Sequence, residues 1–97
     1  MKKISLGQKD VIHFVGIGGI GMSGLAQIMK NMRFRIQGSD LSKNKNTINC
    51  SKLGIKVFIG HSSNNIKGST IVVKSTAIKN NNIELKFAKK NKIPIYS

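Results

Sequence analysis

The residues best suited to chemistry lie in a glycine-rich turn near the start of the chain. Gly16, Gly18 and Gly21 have the spacing Gly-x-Gly-x-x-Gly and follow an apolar, β-branched run over residues 11–15. Beyond the turn, apolar residues recur at the spacing of one helix face: Leu25, Ile28, Met29 and Met32. A strand, a glycine turn and a helix together direct backbone N–H groups and the positive end of a helix dipole at one place. The pattern therefore predicts a site for an anion, most often a phosphate.

Four polar side chains could contribute to the same site. Asp40 follows the second apolar run, where an acid can accept hydrogen bonds from ribose hydroxyls, although it could instead cap the next helix. Ser23 falls in the first turn of the first helix and could donate to a phosphate oxygen or remain solvated. His61 follows the third apolar run, where it could bind a ligand or face water, and Ser75 follows the fourth.

The pattern of apolar and polar residues predicts five strands alternating with three helices. We expect strands over 11–16, 34–38, 56–59, 70–74 and 93–96, and helices over 21–32, 44–53 and 83–91. Short β-α-β spacing implies right-handed crossovers, and so a Rossmann-like α/β fold with an open parallel sheet. We predict the strand order 3-2-1-4-5, with helices on both faces.

Several residues predict where these helices begin and end. Arg33 would complement the dipole at the end of the first helix, and Gly54 would end the second. Asn82 would cap the third, with Glu84 in its first turn, where a negative charge is favoured. Residues 1–10 are expected to be a polar lead-in, with 11–97 forming one domain.

The composition narrows the class of protein. Seventeen Lys and Arg against three acids give a net charge of +14, which raises the possibility of nucleic-acid binding. The basic residues are spread along the chain and accompany many Asn and Ile, which indicates a general compositional bias, and no aromatic platform for bases is present. We therefore do not expect a nucleic-acid partner. No apolar run is long enough for a membrane span, and the single Cys50 is typical of a reducing cytoplasm.

The remaining candidate residues do not predict catalysis. His13 lies inside the first strand and is expected to be a hydrogen-bonded core histidine, while Cys50 is expected to be a small buried apolar residue. We find no acid–histidine pair, no metal-ligand spacing and no Gly-x-x-x-x-Gly-Lys-Ser/Thr motif. Three acids are too few for a conventional acid–base or magnesium site.

The glycine turn also carries a family resemblance. Residues 12–24, Ile-His-Phe-Val-Gly-Ile-Gly-Gly-Ile-Gly-Met-Ser-Gly, resemble the opening of the Mur ligases of peptidoglycan synthesis, in particular the members that add L-alanine. The double glycine at 18–19, followed by Gly-Met-Ser-Gly, is more specific than the general dinucleotide motif. The resemblance extends from 11 to 97 through five shorter segments: 38–41, 53–54, 58–61, 75–78 and 93–95.

The resemblance implies a ligand and a domain plan. Mur ligases have a Rossmann-like domain for the UDP-sugar, a central ATPase domain and a C-terminal domain, and this chain resembles the first alone. The partner would be UDP-N-acetylmuramic acid; ATP and Mg²⁺ would serve only the full-length enzyme, so this chain would hold no cofactor and would not catalyse. The implied binding residues are Gly18, Gly19, Ile20, Gly21, Met22, Ser23, Ser39, Asp40, His61, Ser75, Thr76 and Ala77.

Two departures from the family pattern stand out. Thr76 replaces a common serine and keeps the hydroxyl. Lys92 replaces a glycine before the fifth strand, so we expect Asn91 to take the left-handed conformation there.

Two other functions remain open. The same turn and Asp40 would serve an NAD(P)-binding module of an oxidoreductase, and the charge alone would suit a nucleic-acid-associated protein. The doubled glycine and the hydroxyl-rich loop at 75–76 favour the UDP-sugar.

Overall fold

The computed structural model describes residues 6–97, which form a five-stranded sheet. The strands are β1 (Val11–Val15), β2 (Arg35–Asp40), β3 (Lys56–Ile59), β4 (Ile71–Lys74) and β5 (Ile95–Tyr96). Every neighbouring pair is parallel, and the order is β3-β2-β1-β4-β5. This confirms the predicted Rossmann-like α/β fold and its strand order.

Four helices connect the strands. They are α1 (Ile20–Asn31), α2 (Lys45–Lys52), α3 (Ser63–Ile66) and α4 (Ile83–Lys90). The three predicted helices are present, with ends within one or two residues of those expected. The helix α3 was not predicted, because a four-residue segment containing two asparagines has neither the length nor the apolar spacing of a recognisable helix.

The helices cover both faces of the sheet, each over its own apolar cluster. One cluster lies under α1 and α2 and includes Ile12, Phe14, Ile17, Ala26, Ile36, Cys50, Ile55 and Ile71. The other lies under α3 and α4 and contains Val15, Ile66, Val72, Leu85 and Ala88. Adjacent residues of β1 point to opposite faces, so Phe14 joins the first cluster and Val15 the second. His13 faces the same side as Val15, toward α4.

The second strand is longer than predicted, and this changes the setting of two candidate residues. We expected it to end at Gly38, but it continues through Asp40 because it pairs with β1 on one side and β3 on the other. Ser39 and Asp40 are therefore strand residues, not loop residues. A side chain at Gly38 would place its Cβ 2.6 Å from Ile17 Cδ1, so the strand depends on glycine for close packing of the turn above it.

The ends of the helices agree with the sequence in part. Gly54 has φ +87° and ends α2 as predicted; the N–H of Ile55 then reaches back to the carbonyl of Cys50. At the end of α1, Arg33 has φ +71°, so its backbone conformation closes the helix. The prediction for Asn91 is wrong: α4 ends at Lys90, Asn91 keeps φ −96°, and the left-handed position falls on Lys92 at φ +57°.

Residues 6–10 are more than a polar lead-in, while residues 1–5 of that predicted segment lie outside the described residues. Leu6 packs against the cluster under α1. The N–H of Gly7 donates to Asp10 Oδ2 at 2.8 Å, and Thr70 Oγ1 donates to Asp10 Oδ1 at 2.8 Å. This short segment is therefore bonded to the loop before β4. Over residues 6–97, none of the helices has the length and apolar character needed to cross a bilayer.

Candidate functional site

A groove lies at the carboxyl edge of the sheet, where the strand order reverses between β1 and β4. In open parallel sheets this reversal point is the usual ligand site. The groove has a volume of about 260 Å³ and is lined by Gly16, Gly18, Gly19, Asp40, Leu41, Asn44, His61, Ser75, Ala77 and Ile78. The structure thus brings together segments that follow four different strands, as the sequence predicted.

The start of α1 contributes unpaired donors to this edge. The first backbone hydrogen bond of the helix runs from the N–H of Ser23 to the carbonyl of Gly19. The N–H groups of Ile20, Gly21 and Met22 therefore have no helical acceptor. Side chains cap the other three helices, but over residues 6–97 none caps α1, and its first turn carries no acid. The positive end of this helix is open to an anion.

The glycine turn is held by β2. The N–H groups of Gly16 and Ile17 both donate to the carbonyl of Ser39 at 2.9 Å, and Gly16 has φ +85°. The N–H of Gly18 donates to Asp40 Oδ2 at 2.8 Å. A Cβ at Gly18 would lie within 2.9 Å of side chains from three residues: Asp40, Asn44 and Thr47. A side chain at Gly18 would displace the Asp40 carboxylate and the Asn44 side chain that caps α2, so this position favours glycine.

Asp40 has a role that the sequence did not indicate. Its Oδ2 accepts from the N–H of Gly18 and its Oδ1 from the N–H of Leu41, both at 2.8 Å. The expected alternative, a helix cap, is wrong, because Asn44 caps α2 and forms a reciprocal pair with Thr47. Asp40 fastens the glycine turn to β2 and lines the groove; its contact with a ribose stays a prediction.

Several implied binding residues do not line the groove. The side chain of Ser23 is buried, and its hydroxyl donates to the carbonyl of Ile20 at 3.3 Å, so it does not reach the groove. The side chain of Ile20 is 91% exposed, and Thr76 is exposed outside the groove. Gly21 and Met22 offer the N–H groups of the helix start. Ser39 is fully buried beneath the groove.

A buried carboxylate lies behind the groove, where we expected no acid–histidine pair. Glu84 is fully buried in the first turn of α4, where the sequence predicted only a favourable negative charge. Its Oε1 accepts from His13 Nε2 at 2.7 Å and Ser39 Oγ at 2.6 Å. Its Oε2 accepts from Asn65 Nδ2 at 2.8 Å, the N–H of Ser62 at 3.1 Å and His61 Nδ1 at 3.3 Å.

These donors keep Glu84 charged. Burial alone raises the pKa of a carboxyl group, but the hydrogen bonds from His13, Ser39 and Asn65 outweigh it and lower the pKa of Glu84 to about 2. The sequence held one clue to this pair. A histidine inside a buried strand needs a polar partner, and the chain has only three acids to supply one.

The predictions for the two core residues are confirmed. His13 is fully buried, and its second ring nitrogen, Nδ1, lies 2.7 Å from Gln37 Nε2. Cys50 is fully buried in the cluster under α2, and burial raises the pKa of its thiol. Over residues 6–97, no three His, Cys, Asp or Glu side chains are arranged to hold a metal ion.

A larger hollow lies away from the predicted residues. It measures about 440 Å³, lies beside α4 and β5, and is lined by three lysines, Lys74, Lys89 and Lys92, with mainly apolar neighbours. None of the implied binding residues lines it. The smaller groove, in which the glycine turn, Asp40 and His61 meet, is therefore the better candidate site.

Comparison with known proteins identifies the family. Residues 11–97 match the model of the Mur ligase family, catalytic domain. The chain is 58% identical over 94 residues to a UDP-N-acetylmuramate–L-alanine ligase of Pelagibacter ubique, covering 97% of this chain and 20% of the relative. It is 52% identical over 86 residues to the protein of the same name from Rickettsia bellii, covering 89% of this chain and 18% of that relative. The chain thus spans about a fifth of the length of these relatives.

Solved structures agree with this assignment. A UDP-N-acetylmuramate-alanine ligase from Thermotoga maritima superposes with a TM-score of 0.85 at 37% identity, over 89% of this chain and 20% of that one. A second structure, a UDP-N-acetylmuramate:L-alanyl-gamma-D-glutamyl-meso-diaminopimelate ligase from Neisseria meningitides, has a TM-score of 0.83 at 26% identity. This match covers 91% of this chain and 28% of that one. The sequence match and the shared fold agree, and the chain belongs to the Mur ligase family.

Proposed function

We propose that residues 11–97 form the UDP-N-acetylmuramic acid-binding domain of a ligase that joins L-alanine to this sugar nucleotide. The observation that carries the proposal is the 58% identity, over 97% of this chain, to a relative with that name. The whole protein would form the amide bond with ATP and Mg²⁺ in the cytoplasm. Its ATPase and C-terminal domains would lie outside this chain, which spans about a fifth of such relatives.

The groove supports a binding role for this domain. The unpaired N–H groups at the start of α1 would receive the diphosphate, because they combine free donors with the positive end of the helix dipole. Asp40 would lie toward the ribose, and His61, Ser75 and Ala77 would surround the rest of the nucleotide. The part played by this chain is to bind and orient the substrate.

The alternative functions have less support. The relatives reported above are named as ligases, so the redox module that the glycine motif also permits has no support from them. A nucleic-acid partner rests only on the net charge of +14.

Calorimetric titration of the chain would separate these functions. We expect saturable binding of UDP-N-acetylmuramic acid at about 150 mM salt, where screening limits nonspecific attraction to the basic surface. NAD⁺ and a short DNA duplex should bind more weakly. Saturable binding of NAD⁺ with no response to the UDP-sugar would overturn the proposal.

The position of the diphosphate can be tested at Gly19. Its Cβ position lies 3.4 Å from the nearest atom, so the fold has room for a small side chain that would project at the start of α1. We expect Gly19→Val to weaken UDP binding at least about tenfold, because the side chain crowds the diphosphate. Gly24→Val is the matched control, since a side chain at Gly24 meets nothing within 4 Å. Equal affinities in two folded variants would contradict this placement.

A further inference from the structure

The hydrogen bonds around Glu84 determine which ring nitrogen of each histidine carries the proton. The starting point is Gln37, whose Nε2 donates to the carbonyl of Asn65 at 2.7 Å. A carbonyl can only accept, so this contact identifies the nitrogen of the Gln37 amide. Two acceptors remain for the second hydrogen of that nitrogen, and His13 Nδ1 at 2.7 Å is much closer than Ser69 Oγ at 3.4 Å. His13 therefore accepts at Nδ1 and donates from Nε2 to Glu84.

Ser39 fixes the proton on His61. A hydroxyl has one hydrogen, and Ser39 gives it to the ionised Glu84 Oε1 at 2.6 Å. The 3.0 Å contact between Ser39 Oγ and His61 Nδ1 must then have the ring as donor. The 3.3 Å contact from His61 Nδ1 to Glu84 Oε2 requires the same proton. The neutral ring is therefore protonated at Nδ1.

The other nitrogen of this ring reaches the groove. Over residues 6–97, His61 Nε2 makes no hydrogen bond, yet no buried side-chain nitrogen or oxygen lacks a partner. The Nε2 atom must therefore be accessible, and His61 lines the groove. In the neutral ring this atom is a hydrogen-bond acceptor.

We propose that Glu84 is a positioning residue for the groove: through Ser39 it holds His61 with Nδ1 protonated, so that Nε2 accepts from a hydroxyl or N–H of the nucleoside. The inference rests on the proposed function and assigns His61 to the nucleoside part of the ligand. A phosphate oxygen offers only lone pairs to an acceptor and would be disfavoured there. The diphosphate is left to the N–H groups of α1.

The backbone on both sides of His61 is held by the same network. Asn65 Nδ2 donates to the carbonyl of Gly60 at 2.9 Å, and the N–H of Ser62 donates to Glu84 Oε2 at 3.1 Å. The ring and its two neighbours are therefore fixed before any ligand arrives. Such preorganisation lowers the entropy that binding must otherwise overcome.

Nitrogen-15 NMR of the imidazole rings tests the first half of the proposal directly. The chain has two histidines, so the spectrum is simple to assign. We expect the wild-type His61 to be protonated at Nδ1 and His13 at Nε2. In Glu84→Gln, the His61 pattern should shift toward the other tautomer, because the amide can donate to Nδ1. A wild-type His61 protonated at Nε2 would overturn the inference.

Binding of two probes tests the second half. Glu84→Gln should weaken UDP binding about tenfold, the effect of one lost hydrogen bond in a desolvated site. Inorganic pyrophosphate, which has no nucleoside, should bind the variant and the wild type equally. Equal losses for both probes would mean that Glu84 only supports the fold, and would overturn the inference.

Two further variants separate positioning from stability. Leu85→Ala removes a neighbouring core side chain from α4 and should lower stability without changing the His61 tautomer or the ratio of UDP to pyrophosphate affinity. If Glu84→Gln does not fold, Ser39→Ala replaces it in the binding test. This variant should likewise weaken the binding of UDP but not that of pyrophosphate. Failure of UDP and the UDP-sugar to bind the wild type would overturn the proposed function and the ligand half of this inference. The tautomer measurement would still decide the role of Glu84.

Discussion

Two regions at the groove satisfy their polar groups in opposite ways: the start of α1, and the buried carboxylate behind the groove. At the start of α1, three backbone N–H groups have neither a helical acceptor nor a side-chain cap among residues 6–97. In the first turn of α4, Glu84 is fully buried and its carboxylate accepts hydrogen bonds from five donors. We expect the first region to bind an anion from outside the chain, whereas the second region contains its own anion, Glu84. Binding of the anionic part of a ligand should therefore depend on the first region, and the stability of the fold and the orientation of His61 on the second.

The largest effect should come from removing the buried charge. We expect Glu84→Ala to reduce the free energy of unfolding by about 3–5 kcal/mol, because His13, Ser39 and Asn65 would lose their acceptor inside the protein. Urea unfolding measures this loss. The exposed Lys86 on the same helix is the control, and Lys86→Ala should change stability by less than about 0.5 kcal/mol. A loss below about 1 kcal/mol for Glu84→Ala would contradict the prediction, because it would mean that the donors around Glu84 do not need its carboxylate for a stable fold.

Low pH should also destabilise the fold through Glu84. The pKa of Glu84 is about 2 in the folded chain against an ordinary 4.5, so the unfolded chain binds the proton more readily. The stabilisation is present above about pH 4.5 and is lost as the pH falls toward 2. The difference between these pKa values corresponds to about 3 kcal/mol.

Urea unfolding at pH 6 and pH 2.5 checks this prediction. The drop in wild-type stability should exceed the drop in Glu84→Gln, which has no carboxyl to titrate at position 84 and so measures the acid sensitivity of the rest of the chain. Parallel losses in the two proteins would contradict the assignment of the acid sensitivity to Glu84.

The smallest effect on stability, with the opposite sign, should come from closing the open helix. Gly19 is the N-cap of α1 and has extended backbone angles that suit a capping aspartate. We expect Gly19→Asp to raise stability by about 0.5 kcal/mol, since it supplies a cap and a negative charge near the dipole. The same carboxylate should exclude pyrophosphate and UDP.

Thermal unfolding and calorimetry on one sample measure both changes. Gly19→Asn adds a cap without the charge and should weaken anion binding less than Gly19→Asp. A stabilised Gly19→Asp variant that still binds pyrophosphate with wild-type affinity would show that the anion lies elsewhere.

The glycine turn at the start of α1 could be predicted from the sequence, whereas the network around Glu84 could not. The turn and the strand order follow from local patterns, because glycine spacing, apolar runs and short β-α-β connections are read within a few residues. The extent of β2 was underestimated because its end is fixed by pairing with β1 and β3, a nonlocal property. The network at Glu84 was missed because it joins residues 71 positions apart, and a local pattern places Glu84 only at a helix start.

For the candidate site, the sequence predicted the location but not the orientation of every side chain. The sequence brought Gly18, Gly19, Asp40, His61 and Ser75 to one edge, and the structure lines one groove with all five. It could not tell that Ser23 points into the core or that Ser39 faces Glu84, because both depend on the orientation of a side chain in the packed fold.

The contact between Gly18 and Asp40 has a consequence for how this sequence can change over evolutionary time. The N–H of Gly18 lies 2.8 Å from Asp40 Oδ2, and a Cβ at Gly18 would meet that same oxygen at 2.8 Å. Replacing Gly18 would displace the Asp40 carboxylate from this N–H, whereas replacing Asp40 leaves Gly18 still confined by Asn44 and Thr47. The dependence therefore runs mainly one way: substitutions of Asp40 should be tolerated beside Gly18 more often than substitutions of Gly18 beside Asp40.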